Sequence, residues 1–282
     1  DGGSVCEDAK VICGVVQGSC IGPVLFVIFV NDVTDMFGHS SVCCMYADDI
    51  KIYTVLDVDL HTIDLSHDLA RLHLWANQWQ LEINPSKCQT LHLGLKNPAL
   101  VYDIGDNRIE SAAEVKDLGV TMDSKLKYIT HIHSVVAKGF QRLALIRRGF
   151  VSRNRELLIK AYITYVRPVL EYNTHIWSPV YKTHVDLIER VQRRFTKMLD
   201  GLHALSYPDR LAATGLESLE LRRLKSDLCM YFKIINGQTC LSADEYFKFG
   251  CSVKLTRTSS NLKLVKPRYN TDLLKHNFLF AS

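Results

Sequence analysis

The chain has 282 residues, 47% of them hydrophobic and 23% charged, with a formal net charge of +4. A chain of that size and composition can bury a core of its own, so its folding needs neither a disulfide framework nor a structural metal. The longest apolar run, Ile21 to Val30, ends at Asn31-Asp32 and is too short for a membrane-spanning helix.

The first ten residues, DGGSVCEDAK, show neither an initiator Met nor a basic-then-apolar leader, and they read as the middle of a longer protein. The run VICGVV (11–16) predicts a short strand. Gly18, Gly22 and Pro23 then break the chain and start a helix, because Pro is tolerated in a first helical turn. The segment VLFVIFVNDVTDMF that follows is apolar nearly all round, which predicts a buried helix. Over 41–55, two β-prone runs, SVCCMY and IKIYTV, flank the triplet ADD and predict a hairpin. From Asp64 to Trp79, Leu65, Leu69, Leu72, Ala76 and Trp79 recur at steps of three and four, so an amphipathic helix is expected. Trp75 and Trp79 share that helix with the Leu stripe and are read as core. Strands are expected in CQTLHLG (88–94), on either side of Gly105-Asp106-Asn107, and in VKDLGVTM (115–122).

Beyond about residue 125 the periodicity turns helical, near 130–148, 154–172 and 184–200. Asn154 is placed to cap the second of these and Pro168 to kink it. In the third, Val185, Ile188, Val191, Phe195 and Met198 form the apolar stripe. Asp186 with Arg190 and Glu189 with Arg193 are spaced as surface ion pairs. A fourth helix, 219–237, stops at Gly237, and the tail from about 250 is weakly patterned.

The nine cysteines include no CxxC pair and no zinc-knuckle spacing, and are expected as reduced intracellular thiols. His131 and His133, two apart, suit a strand pair or a surface and carry no assignment. Charge is segregated. Residues 1–137 hold 9 Lys and Arg against 18 Asp and Glu, residues 138–225 hold 17 against 8, and residues 226–282 hold 8 against 4. An acidic part followed by a basic helical part suits a polyanion-binding enzyme, with carboxylates for metal and cations for phosphate, and it equally suits a solvated helix face.

The chemistry is concentrated at Tyr46-Ala47-Asp48-Asp49. Neighbours in a straight strand point to opposite faces, whereas at a tight turn both can reach one side. Two carboxylates about 4 Å apart repel by about 4 kcal/mol at an effective dielectric of 20. A divalent cation or a shared proton offsets such repulsion. Mg²⁺ prefers oxygen ligands and is commonly shared with substrate phosphates, and two such ions can stabilise both oxygens of a phosphoryl transfer. Taken alone, the same four residues also suit a hydrophilic turn.

The surrounding blocks are more specific. GVVQGSCIGPVLFVIFVND (14–32) is similar to the reverse-transcriptase block G-V-P-Q-G-S-x-L-G-P-x-L-F that ends in N-D, and YADD (46–49) matches the metal-binding block. LHLWANQWQLEINPSKC (72–88) resembles the block that follows, and VKDLGVTMD (115–123) resembles the primer-grip block K-x-L-G-V-x-x-D. YVRPVLEYNTHIWSP (165–179), IERVQRRFTKML (188–199) and LSYPDRLAATGLESLELRRLKSDL (205–228) resemble the helical region after the palm in LINE-type elements. The likeness covers roughly residues 11–240 in order, and it is to the jockey-like, non-LTR retrotransposon reverse transcriptases.

That resemblance implies an α+β fold: an incomplete palm over 1–124 with a mostly antiparallel sheet, a helical thumb and its continuation over 125–240, and a tail over 241–282. It implies an RNA-directed DNA polymerase acting on an RNA template, a DNA primer and dNTPs with Mg²⁺ or Mn²⁺, located inside the cell, in nucleus and cytoplasm, within the element's ribonucleoprotein. Asp48 is then the principal metal ligand and Asp49 its partner. Tyr46 and Ala47 lie under the nucleotide and primer end, and Gln17 and Gly18 line the nucleotide and template pocket. Lys87 is near the leaving pyrophosphate, with a surface lysine as the plainer reading. Leu118 and Gly119 help to form the primer grip. Arg190, Arg194 and Lys197 share a helix face and contact phosphates, or serve solubility and ion pairing.

Val16 stands where the family has Pro, and Ile21 where it has Leu before Gly-Pro. The family's further metal-binding Asp lies on a strand upstream of the Q-G-S block. Asp1 and Asp8 are not in such a strand and do not take that role. The chain by itself is therefore expected to be inactive. The alternatives are a catalytically dead remnant that binds RNA or RNA–DNA hybrid through 138–225, and a product of a decayed element.

Overall fold

The computed structural model describes residues 14, 18–37, 41–56, 62–94, 97–247 and 249. The strand expected over 11–16 falls outside them, Gly14 excepted, as do Gln17, Asp1, Asp8 and the tail beyond 249. The chain divides into two compact units, Asp1–Ala113 and Glu114–Ser282.

In the first unit, Ser19 opens helix α1 (Gly22–Val30): its hydroxyl accepts the Gly22 N–H at 3.0 Å, and Pro23 sits in the first turn. A 3₁₀ turn, Asn31–Met36, continues it. Strands β1 (Ser41–Tyr46) and β2 (Asp49–Thr54) form the expected antiparallel hairpin, in register from Ser41↔Thr54 to Tyr46↔Asp49. Helix α2 (Thr62–Gln78) buries Leu69, Leu72, Trp75 and Ala76 against Val30, Val33, Tyr102, Ile104 and Ile109. The remaining strands of this unit are two residues long: β3 (Gln89–Thr90) runs parallel to β6 (Glu110–Ser111), and β4 (Asp103–Ile104) pairs antiparallel with β5 (Asn107–Arg108). Gly105 turns between β4 and β5 at φ +57°, where a Cβ would meet the His73 ring at 2.7 Å, so only glycine fits.

The second unit opens with a hairpin of β7 (Glu114–Asp117) and β8 (Val120–Asp123). It continues as α3 (Ile129–Gly149), α4 (Arg155–Ala161), a π-helical turn Tyr162–Val166, α5 (Arg167–Glu171), α6 (Thr174–Trp177), α7 (Lys182–Lys197), α8 (Tyr207–Thr214), α9 (Leu219–Ile235) and α10 (Ala243–Tyr246). Asn154 caps α4 as expected, its Oδ1 accepting the Leu157 N–H at 3.0 Å. The π turn falls just before Pro168, which has no N–H for the Thr164 carbonyl and whose ring crowds it, so the helix widens there. Gly237, at φ +64°, follows the end of α9 and its N–H returns to the Ile234 carbonyl. One core fills this unit. Ile132, Tyr162, Val166, Leu170, Trp177, Ile188, Phe195 and Leu219 are essentially inaccessible, and the Tyr162 and Phe195 rings stack at 4.3 Å.

Four expectations are corrected. The strands of the described residues form four separate two-stranded pairs, three of them antiparallel, and no continuous sheet joins them. VKDLGVTM is a hairpin and its turn, because Leu118 and Gly119 both take positive φ and reverse the chain. Helix α1 is not enclosed: Ile21, Val24, Leu25, Val27 and Ile28 are exposed, up to 66% for Ile28, since no described residue covers them. Trp79 lies just beyond α2 and is 40% exposed, its ring edge-on to Phe29 at 5.1 Å, while Trp75 is core as expected.

Candidate active site

The first unit presents the acidic turn. Alternation along β1 points Ser41, Cys43 and Met45 inward and Val42, Cys44 and Tyr46 outward. Met45 and Ile52 pack on the core of this unit, which fixes the hairpin's orientation. Ala47 and Asp48 are the two loop residues, and Ala47 takes φ +53°. A non-glycine residue held in that region costs of order 1–3 kcal/mol, and alanine carries the smallest side chain that retains a Cβ. Asp48 occupies the second loop position and Asp49 the first position of β2, opposite Tyr46. All four side chains are exposed, Tyr46 at 68%. Neither aspartate is in an ion pair among the described residues, so none of their cations offsets the repulsion between the two carboxylates.

Gly18 is exposed at φ +85°, immediately before Ser19, whose hydroxyl accepts the Gly22 N–H at the start of α1. Lys87 ends a 3₁₀ turn, Pro85–Lys87, whose backbone is fixed by Asn84: its Oδ1 accepts the Ser86 N–H at 3.0 Å and the Ser86 hydroxyl at 2.7 Å. The Lys87 side chain is exposed. Two clefts of this unit, one along Ser66, Ala70 and His73 and one along Thr90, Arg108 and Ser111, include none of Asp48, Asp49 and Lys87. Among the described residues no three His, Cys, Asp or Glu side chains are gathered as a metal site. Asp48 and Asp49 nevertheless supply the hard oxygen donors that Mg²⁺ takes, in the number it commonly takes when substrate phosphates and water complete its shell.

In the second unit, Leu118 (φ +43°) and Gly119 (φ +87°) form the β7–β8 turn. The Tyr172 hydroxyl donates to the Leu118 carbonyl at 3.0 Å. The strand behind the turn is held by His131, whose Nδ1 accepts the Thr121 N–H at 3.2 Å and whose ring lies edge-on to Trp177 at 5.0 Å. Burial first, then the nearby Lys138, hold the His131 imidazole below its usual range. It is thus a buried helical residue, neither in a strand nor at the surface.

Arg190, Arg194 and Lys197 are all exposed on α7, as is Arg193. Their acidic neighbours are arranged otherwise than the spacing implied. Asp186 pairs with Arg193 at 3.2 Å. Glu189 is 3% exposed and points inward, where its carboxylate accepts the Leu219 N–H at 3.1 Å and the Tyr207 hydroxyl. Gln192, fully buried, accepts from Tyr162 at 2.9 Å and donates to Tyr207 and to the Glu217 carbonyl at 3.0 and 2.8 Å. Burial, then the Glu189 carboxylate, push the Tyr207 phenol far above its ordinary range, so it stays a donor. Sequence reasoning missed this network. Its trace was the position of Glu189 and Gln192 directly beside the apolar stripe of α7.

The six described cysteines are free thiols. Burial, then Cys44, push the Cys43 thiol up to about 11, which removes it as a nucleophile. No helix among the described residues is long and apolar enough to cross a membrane.

A family model described as "Reverse transcriptase (RNA-dependent DNA polymerase)" matches residues 4–122. The chain is 26% identical over 196 residues to the "Probable RNA-directed DNA polymerase from transposon BS" of Drosophila melanogaster, covering 64% of this chain and 21% of that protein. It is 26% identical over 212 residues to the corresponding probable polymerase from transposon X-element of the same fly, covering 70% and 23%. It is 28% identical over 200 residues to the "RNA-directed DNA polymerase from mobile element jockey" of Drosophila funebris, covering 67% and 22%. The chain thus spans less than a quarter of the length of these curated relatives. No solved structure matches it. The family match over residues 4–122 and these relatives from mobile elements support a reverse transcriptase of the non-LTR, LINE type.

Proposed function

We propose that this chain carries the metal-binding turn, part of the palm and the thumb of an RNA-directed DNA polymerase that extends a DNA primer on an RNA template. The observation that carries the reading is the hairpin turn that exposes Asp48, its second loop residue, and Asp49, the first residue of β2, on a hairpin anchored by its inner face. Asp48 is the principal ligand and Asp49 its partner. Mg²⁺ or Mn²⁺ bound there would polarise the α-phosphate of a dNTP and activate the primer 3′-hydroxyl. Tyr46 and Ala47 support the nucleotide and primer end, and Gln17 and Gly18 line the pocket, where a residue without Cβ lets the backbone come close. Lys87 sits by the leaving pyrophosphate as a cation or proton donor. Leu118 and Gly119 contact the primer, and Arg190, Arg194 and Lys197 contact phosphates from the thumb over 125–240. As part of an element's ribonucleoprotein the protein acts in nucleus and cytoplasm.

With Asp48 and Asp49 consecutive at the turn and no group of three His, Cys, Asp or Glu side chains placed to hold a metal among the described residues, residues 1–282 alone should hold metal weakly and not polymerise. Mn²⁺ titration followed by electron paramagnetic resonance should show weak binding that Asp48→Asn removes. Binding indifferent to that change would refute the carboxylate assignment. With a primed RNA template, dNTPs and Mg²⁺, no extension is expected. Extension abolished by Asp48→Asn would overturn the inactivity and leave the polymerase reading standing. The exposed cations of α7 favour one second reading, a binding remnant. Salt-dependent hybrid binding, with no polymerisation even when upstream residues are supplied, would select it.

A further inference from the structure

The β7–β8 turn is held from outside itself. Both loop residues take positive φ, which makes the turn type I′. Gly119 accepts that conformation freely, but Leu118 at φ +43° is strained, so the turn needs support from its surroundings. Tyr172, the residue that ends α5, supplies it twice. Its hydroxyl donates to the Leu118 carbonyl at 3.0 Å, and its ring lies where a Cβ on Gly119 would meet it at 3.4 Å. Tyr172 is itself fixed. The buried Trp177 indole donates to its carbonyl at 2.8 Å, and Asn173 turns the chain immediately after it at φ +52°.

We propose that Tyr172 is the positioning residue of the Leu118–Gly119 turn, holding the central peptide in the orientation in which it meets the primer. Types I′ and II′ differ chiefly by a flip of that peptide, which would swing the Leu118 carbonyl away from its partner. The Tyr172 hydroxyl therefore selects one of the two faces the turn can present. Because the donor stands on the helical unit, the turn keeps its register with α5 and α6. The inference rests on reading the turn as primer-contacting, and the test separates the two.

The full chain and Tyr172→Phe are compared by hydrogen exchange of the 117–120 amides and by thermal melting. Both are then titrated with an RNA–DNA duplex that carries 2-aminopurine at the primer 3′ end. Phe keeps the ring and removes only the hydroxyl. Exchange at the turn should rise about fivefold, as for the loss of one hydrogen bond, with melting nearly unchanged. Duplex affinity should hold within about threefold, while the 2-aminopurine signal of the bound primer end shifts, an effect that a merely structural role would not produce. Turn exchange unchanged in Tyr172→Phe would overturn the positioning role. If duplex leaves the wild-type turn amides unprotected, it is the primer-contact reading that fails.

Discussion

Glu189 shows how a single side chain can serve another purpose than its spacing suggests. Three residues before Gln192 and four before Arg193, it reads as half of a surface ion pair, yet it is buried and bonded to the first amide of α9. An anion at a helix N-terminus satisfies an otherwise orphaned N–H and opposes the positive end of the helix dipole. Removing it strands the buried Leu219 N–H and takes the acceptor from the Tyr207 hydroxyl. Glu189→Ala should therefore lower unfolding free energy by about 3 kcal/mol, and Glu189→Gln, which keeps an acceptor, by roughly half that. Urea denaturation measures both, and a loss below about 1 kcal/mol for the alanine variant would contradict the network. Asp48 and Asp49 lie at the other extreme. They are exposed and in no ion pair among the described residues, so replacing either should leave stability intact, as expected of side chains present for a ligand.

At the scale of elements, the hairpin β7–β8 is docked through His131. Thr121 donates to Nδ1, which requires the tautomer with its proton on Nε2, and protonation of Nδ1 would break that bond. His131 has a folded pKa below its unfolded value of about 6.5, so the unfolded chain binds the proton more readily. The stability it contributes is complete above about pH 6.5 and is lost as pH falls from there through the lowered folded value. Other groups titrate in the same range, so the measurement is a difference. The melting temperature of wild type should fall more steeply between pH 7 and 5 than that of His131→Asn, whose amide oxygen can still accept from Thr121. Parallel curves would remove His131 from the account. The helices of this unit were largely legible in sequence, down to the Asn154 cap and the disturbance at Pro168, because capping and proline sterics act over a few residues.

For the whole molecule, the described residues build two separate cores, one around Trp75 and Ile104 and one around Tyr162 and Phe195, and none of them belongs to both. The basic segment 138–225 lies wholly within the second unit, so nucleic-acid binding should follow that unit. Replacing Arg190, Arg194 and Lys197 with Ala should reduce the slope of log affinity against log salt by roughly 2 to 3, near one for each phosphate no longer neutralised, while leaving weaker, sequence-independent binding. Fluorescence anisotropy with a hybrid duplex gives that slope, and an unaltered slope would return these cations to the role of a solvated face.

The sequence by itself determined what depends on neighbours along the chain. Block order, the YADD turn between two β-prone runs, the stripe of α2 and the helix caps all follow from residue type at short range. Tertiary structure decided what depends on who lies opposite. That Glu189 turns inward, that the apolar α1 stands uncovered by the described residues, and that a tyrosine 54 residues away holds the Leu118 turn are matters of which distant segments meet. Periodicity states how much apolar or polar surface a segment offers, and only packing chooses its partner.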